Sequence, residues 1–277
     1  MTVSTQPAPI TIVASLSDDP HFKGSIHDDV SARTFGYQSA LVPGPVVYGY
    51  LSQIPIEVWG MAWLERGTMR SHSRRPVYQG DEITVSCSAI ECTDAGAAMR
   101  LTARDAKGQE VASGEATLPH GSAEPPDIAE FPVIPLVDPP PMVPVEEFGP
   151  GRRFGSDPIA MTRGVLDFHL AEFSERWPGY AAEGVAHTGY LMRRLVRDSV
   201  LSYRHETPGI FVTARMQHFA LARVEDSLAT SGVVTAIYER KGQHYYDSDH
   251  VVIANGSRVI ASARRSTIYV VRRSTAA

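Results

Sequence analysis

The chain has 277 residues, 43% hydrophobic and 21% charged, the composition of a globular protein with room for two ordinary compact units or one double-sized one. Its net charge of −5 argues against nucleic acid as the main partner, because phosphate binding wants a basic face. Two cysteines, Cys87 and Cys92, are too few for a disulfide framework and fit a reducing cytoplasm. No leader is read at the start, and no apolar run reaches the roughly 18 residues of a membrane helix, so no membrane partner is expected.

The first element with chemistry in it is Ser25-Ile-His-Asp-Asp-Val-Ser-Ala-Arg-Thr-Phe-Gly-Tyr37. It places His27 in a loop beside two carboxylates, ahead of a short helical segment. An imidazole titrates near neutrality and can take or give a proton there. Asp28 and Asp29 either orient that ring or cap the helix that follows, where acids are favoured. Pro43-Gly44 then opens an apolar helix carrying Tyr48 one turn inside it. A helix start leaves backbone N–H groups free, and Gly44 allows a ligand oxygen to come close to them. A base beside such donors suits proton transfer next to a carbonyl.

Three strand-like runs follow, Glu82–Cys92, Ala98–Arg104 and Glu110–Leu118, separated by turn signals at Asp94-Ala-Gly96 and Lys107-Gly108. Both cysteines fall in the first run at odd spacing, so they face opposite sides and cannot easily bridge. From Pro125-Pro126 to Pro150-Gly151 the prolines recur too often for helix or central strand. Phe131, Val133, Ile134, Leu136, Val137 and Met142 are too apolar for a solvated tether, so this stretch reads as a packed crossover.

Beyond it the pattern repeats at an offset of 143 to 145 positions. Gly36-Tyr37 and Val42 correspond to Gly179-Tyr180 and Val185, and Met69-Arg70 and Asp81 to Ala214-Arg215 and Asp226. Leu191, Met192, Leu195, Val196 and Val200 recur at helical spacing, with Arg193, Arg194 and Arg197 off that stripe. Three runs again follow, Ser227–Glu239, Tyr245–Ala254 and Arg258–Val270, the last two joined by Asn255-Gly256, a hairpin signal. On the middle run His244, Tyr246, Ser248 and His250 share one face and Asp247 and Asp249 the other. No face therefore offers two histidines with an acid, and a strand is read there rather than a metal site. No Gly-rich phosphate loop, Gly-x-Ser-x-Gly elbow or Cys-x-x-Cys is present.

A helix followed by an antiparallel meander, twice over, is an α+β plan. The first-half motif resembles that of the MaoC-like, R-specific enoyl-CoA hydratases. Ile26, His27, Asp29, Ala32, Gly36 and Tyr37 fit it, and Arg75-Pro-Val-Tyr-Gln-Gly-Asp-Glu-Ile-Thr-Val85 fits a second landmark. Ser25 and Gly24 stand where that family has Pro and Asn, and Phe22 where it has the catalytic Asp. Gly49 occupies the position that holds a Glu in related dehydratases. In the second half Val185-Ala-His-Thr-Gly-Tyr-Leu191 is similar to the family's Ala-His-Gly helix start, and Leu166-Asp-Phe-His-Leu-Ala-Glu172 is a looser echo of its catalytic loop.

The resemblance implies a double hotdog, two antiparallel sheets each wrapping a long central helix, merging as a dimer of single units would. The halves are expected at residues 1–120 and 155–277, joined through 121–154. It further implies hydration or dehydration at an α,β-double bond of a small-molecule acyl substrate carried on coenzyme A or an acyl carrier protein. No metal or redox cofactor is implied, and a homodimer is the candidate assembly. The catalytic candidates are His27, Asp28 and His187; the substrate-binding candidates are Gly44, Tyr48, Asp167 and His169. Asp18, Asp19, Asp28 and Asp167 are candidates for the missing acid, expected within hydrogen-bond reach of His27. Arg193, Arg194, Arg264 and Arg265 are read as solvated or as contacts for coenzyme A phosphates. The rival readings are thioesterase, isomerase, cyclase and non-catalytic acyl binder.

Overall fold

The computed structural model describes residues 6–271. In the first half β1 (Ile10–Val13) precedes α1 (Asp29–Thr34), α2 (Gly44–Trp59) and α3 (Met61–Arg66). Then come β2 (Thr68–Ser73), β3 (Glu82–Cys87), β4 (Glu91–Thr93), β5 (Gly96–Asp105) and β6 (Glu110–Pro119). The second half holds β7 (Arg153–Phe154), β8 (Ile159–Ala160), α4 (Arg163–Glu172), α5 (Gly179–Glu183) and α6 (Thr188–Ser202). It ends with β9 (Ile210–His218), β10 (Ser227–Arg240), β11 (Gln243–Ala254) and β12 (Arg258–Val270).

The strands form one sheet in the order β1-β3-β5-β6-β2-β9-β12-β11-β10-β7, with β4 on β5 and β8 on β10. The expected pair of sheets is thus fused edge to edge through β2 and β9. In that antiparallel ladder Arg70 lies opposite Arg215, its own counterpart in the repeat, so a pseudo-two-fold axis passes beside this pair. The repeat extends to single hydrogen bonds. Asp81 Oδ2 accepts from the Tyr78 N–H at 2.8 Å and Asp226 Oδ2 from the Arg223 N–H at 2.7 Å. The residues just before these acids, Gly80 and Glu225, both have positive φ, 86° and 81°.

Alternation places the core. Ile83 and Val85 of β3, Met99 and Leu101 of β5 and Met69 of β2 close over Tyr50, Leu51 and Ile54 of α2. Leu191, Met192 and Leu195 of α6 pack under Met216, Leu228, Val252 and Ile260. The two helices cross where Gly49 meets Gly189. A Cβ on Gly189 would stand 3.0 Å from the Gly49 Cα, and one on Gly49 would stand 2.5 Å from the Phe173 ring. The position that holds a Glu in related dehydratases is therefore the helix crossing itself, with no room for any side chain.

Several local expectations change. The run Glu82–Cys92 is interrupted at residues 88–90, so Cys87 sits on β3 and Cys92 on β4; both are free, the first buried and the second exposed. The first strand of each meander, β2 and β9, was not legible as a strand. The proline-rich stretch is anchored by Phe131, Val143 and Phe148, which pack into satellite clusters, and by Pro132, whose carbonyl accepts from Ser231 Oγ at 2.8 Å. Val133, Val137 and Met142 remain exposed. Asn255 and Gly256 both have positive φ, 53° and 70°, the requirement of a two-residue type I′ hairpin. No helix among the described residues is long and apolar enough to cross a membrane.

Gly49→Ala is expected to lower unfolding stability in urea by about 1–3 kcal/mol, the usual cost of overpacking. Trimming the obstacle with Phe173→Leu in the same chain should recover part of that loss.

Candidate active site

Between the halves lies a cavity of about 710 Å³. One wall is the loop from Asp19 to His27 with the start of α2. The opposite wall is the outer face of α6, at Arg193, Val196, Arg197 and Val200, together with β9, β11 and β12. Val196 and Val200, which read as part of a core stripe, line this space instead of the core, and Val200 is exposed.

His27 is on the cavity wall, and its ring is fixed by one strong contact. Its Nδ1 lies 2.7 Å from the Leu41 carbonyl oxygen. A carbonyl only accepts, so Nδ1 carries the proton and Nε2 is left with a free lone pair. Among the described residues Nε2 has no hydrogen-bond partner. Burial, only partly offset by the Leu41 contact, pushes the His27 pKa down to about 4. At neutral pH the ring is therefore an uncharged acceptor.

Among the described residues no carboxylate is hydrogen-bonded to it. Asp28 caps α1, its Oδ1 accepting from the N–H groups of Val30 and Ser31 at 2.9 and 3.1 Å. Asp29 accepts from the Ala40 N–H at 2.7 Å, Asp18 is exposed, and Asp167 is exposed on α4. Asp19 lines the cavity but gives its oxygens to His21 and, at 2.7 Å, to Arg193 Nη2. The expectation of an acid hydrogen-bonded to His27 is not met. Phe22 takes that place. Its ring lies 4.9 Å from the His27 ring, and the Arg193 guanidinium sits 5.2 Å over it.

The donor nest expected at the start of α2 shrinks to one group. Pro45 has no N–H, and the N–H groups of Val46 and Val47 both turn back to the Pro43 carbonyl, at 2.9 and 3.2 Å. The Gly44 N–H is the remaining candidate donor, and Gly44 lines the cavity. Its glycine is required by packing, since a Cβ there would fall 2.5 Å from the Phe211 ring of β9.

The other candidates lie off the cavity. Tyr48 is 1% exposed in the core between the helices. His187 is fully buried; its Nδ1 accepts from the Gly189 N–H at 2.9 Å and its Nε2 donates to Glu175 Oε2 at 2.8 Å. Nδ1 caps α6 and Nε2 is held by Glu175, so neither ring nitrogen is free. His169 is buried with Nδ1 2.9 Å from Glu172 Oε2. Glu172 in turn accepts from Arg193 Nη1 and Ser17 Oγ, each at 2.7 Å, tying the first-half loop to α4 and α6. Glu172, three residues after His169 on one helix face, was readable as its partner; Glu175 and the Leu41 carbonyl were not. Of the four candidate arginines, Arg193, Arg194, Arg264 and Arg265, only Arg264 is solvated. Arg193 bridges Asp19 and Glu172, Arg194 is buried against Asp198 at 3.1 Å, and Arg265 is 1% exposed.

No protein-family model and no curated protein matches the chain. Solved structures do. A MaoC-like dehydratase superposes with a TM-score of 0.63 at 12% identity, over 98% of this chain and 99% of the other. A conserved protein from Mycobacterium tuberculosis with a double hotdog fold gives 0.58 at 14% identity, over 95% and 96%. A proposed oleoyl thioesterase from Lactobacillus plantarum gives 0.53 at 9% identity, over 98% and 100%.

Because His27 is depressed to about 4 from an unfolded value near 6.5, the folded state binds fewer protons in between. Its contribution to stability should be full above pH 6.5 and be lost as pH falls towards 4. His218, also pushed to about 4 by burial, adds to the same window. Ring-proton NMR should find His27 uncharged at pH 6. Phe22→Asp should raise its pKa by at least one unit, by supplying the missing carboxylate; an unmoved value would contradict the placement of Phe22. At these identities the likeness to solved structures establishes the architecture, and the chain is a double hotdog protein.

Proposed function

We propose that the cavity binds an acyl thioester or a related activated carbonyl compound, and that His27 is its single proton-transfer group. The observation that carries this is the free Nε2 lone pair of His27, facing a largely apolar cavity with Nδ1 pinned to Leu41. The reaction it supports best is reversible dehydration of a 3-hydroxyacyl group. Nε2 takes the α-proton, and charge builds on the carbonyl oxygen, where the Gly44 N–H is the donor to meet it. The same proton then passes from Nε2 to the β-hydroxyl, and water leaves as the double bond forms. One base working on one face replaces the acid–base pair of the hydratases that the motif resembles. A ring whose pKa is held low gives its proton up readily, which favours the second half of this sequence. No step calls for a metal or a redox cofactor.

The carrier end has a fitting mouth. Lys23, Arg75 and Arg204 are exposed on the rim and, among the described residues, none is in an ion pair. They suit the phosphates of coenzyme A or of a carrier-protein arm. Arg193, Arg194 and Arg265 are otherwise engaged, so they leave this role.

Thioester hydrolysis is a second reading, favoured by Phe22. Without an acid beside it, His27 can activate one water for attack on the carbonyl, and the thiolate leaves with the imidazolium proton. A panel of enoyl and 3-hydroxyacyl thioesters, followed at the enoyl absorbance and with a thiol reagent, separates the two. Change at the double bond without thiol release is expected, and thiol release alone would install the hydrolase. His27→Ala should fold normally and lose roughly 100-fold or more in kcat/KM. Unchanged turnover would remove His27 from the mechanism.

A further inference from the structure

The far wall of the same cavity carries a charge that none of the described residues neutralises. Arg265 of β12 is 1% exposed and lines the cavity. Its Nη2 donates to Ser199 Oγ at 2.7 Å, and its Nε and Nη2 lie 3.3 and 3.1 Å from His250 Nε2. His250 is itself kept neutral by burial, well below its ordinary pKa. The third neighbour is the phenol of Tyr246. None of these is an acid. The other buried arginine differs, since Arg194 pairs with Asp198 at 3.1 Å. A guanidinium stays charged at any working pH, and an unpaired buried charge is costly.

The surroundings are unsatisfied as well. Thr267 Oγ1, Tyr269 OH and His205 Nδ1 are buried with no hydrogen-bond partner among the described residues, and all three residues line the cavity. Thr267 and Tyr269 are 7% and 1% exposed. They follow Arg265 at alternate positions of one strand, on the inward face. Tyr246 stands opposite Thr267 across the β11–β12 ladder, and Phe211, whose ring covers Gly44, stands opposite it across β9–β12. Thr267 is one ladder step from Phe211, on the order of 5 Å, and Arg265 lies two residues from Thr267 along β12, on the order of 7 Å. This polar wall therefore starts beside the residue that covers Gly44 and runs away from it along β12 within the same cavity.

We propose that Arg265, with Thr267 and Tyr269, forms an anion subsite for a carboxylate carried at the distal end of the acyl chain. This makes the ligand a dicarboxylic acid held through one end as the thioester. A guanidinium fork matches a carboxylate, and the neighbouring hydroxyls supply further donors. A single guanidinium balances one negative charge, which suits a carboxylate better than a phosphate. The assignment of a substrate class rests on reading the cavity as an acyl site; the subsite itself does not.

The test uses binding of free octanoate and of uncharged octanamide to the full chain, measured by calorimetry, so its outcome is independent of any thioester turnover. Octanoate should bind at least tenfold more tightly than the amide. Arg265→Gln should erase that difference while leaving amide binding unchanged. Should that variant not fold, the nearly isosteric pair Thr267→Val and Tyr269→Phe, which keeps Arg265, should weaken octanoate several-fold and spare the amide. Equal binding of acid and amide to the native protein, or no binding of either, would overturn the proposal. So would octanoate binding that is unaffected in whichever of these variants folds, because the carboxylate would then sit at the Lys23, Arg75 and Arg204 rim.

Discussion

The close approach of α2 and α6 at Gly49 and Gly189 is the constraint on which the rest of the molecule depends. Two helices can share the concave side of one sheet only if their backbones come near enough for both to remain covered. With the Gly189 Cβ position 3.0 Å from the Gly49 Cα, neither position admits a larger residue. The crossing is flanked by Phe173, which fills the space beside both glycines. This packing leaves the outer turns of α6, at Val196 and Val200, facing the His27 loop across a gap instead of a core. That gap is the cavity.

The same crossing explains how the second half departs from a mirror of the first. His187 stands near the start of α6 much as Pro43-Gly44 does at α2, yet its ring is consumed by the Gly189 N–H and by Glu175. A histidine with both nitrogens bonded in a sealed core is a strut. The first half has Gly44 at that place, and its histidine sits on the preceding loop, where His169 is the nearer counterpart in the repeat. His27 has one nitrogen bonded to a backbone carbonyl and the other open, and only such an arrangement leaves a lone pair for a ligand.

Buried charge divides the structure in a similar way. Arg193 joins Asp19 of the first-half loop to Glu172 of α4, so the loop that presents His27 is held by the second half. Arg194 and Asp198 stay inside the second unit, where Ser156 and Thr230 hydroxyls also reach the Asp198 carboxylate, at 2.6 and 2.9 Å. Those networks are closed by acids. Among the described residues Arg265 is the buried arginine met only by neutral side chains, and it faces the cavity. Balanced charges lie in the supporting structure and the unbalanced one lies at the cavity.

What could be read without coordinates was what depends on short-range pattern. Alternation and turn chemistry marked the meander strands, and Arg258–Val270 falls on β12 to the residue because Asn255-Gly256 fixes where that hairpin must turn. The repeat was legible in Arg70 and Arg215, although only the sheet shows them lying opposite one another. The His27 loop stood out by its neighbours Ile26, Asp29 and Gly36, which are local. What the pattern could not decide was every contact made across the two halves. Phe22 reads simply as a missing acid; only the fold shows its ring against both His27 and Arg193. Arg265 reads as one of two adjacent arginines on a strand. Strand alternation sends one to water and the other inward, but which face is inward, and that no acid waits there, is settled by long-range pairing. Sequence determined the elements and the chemistry on offer, and tertiary packing decided which groups were left with something to bind.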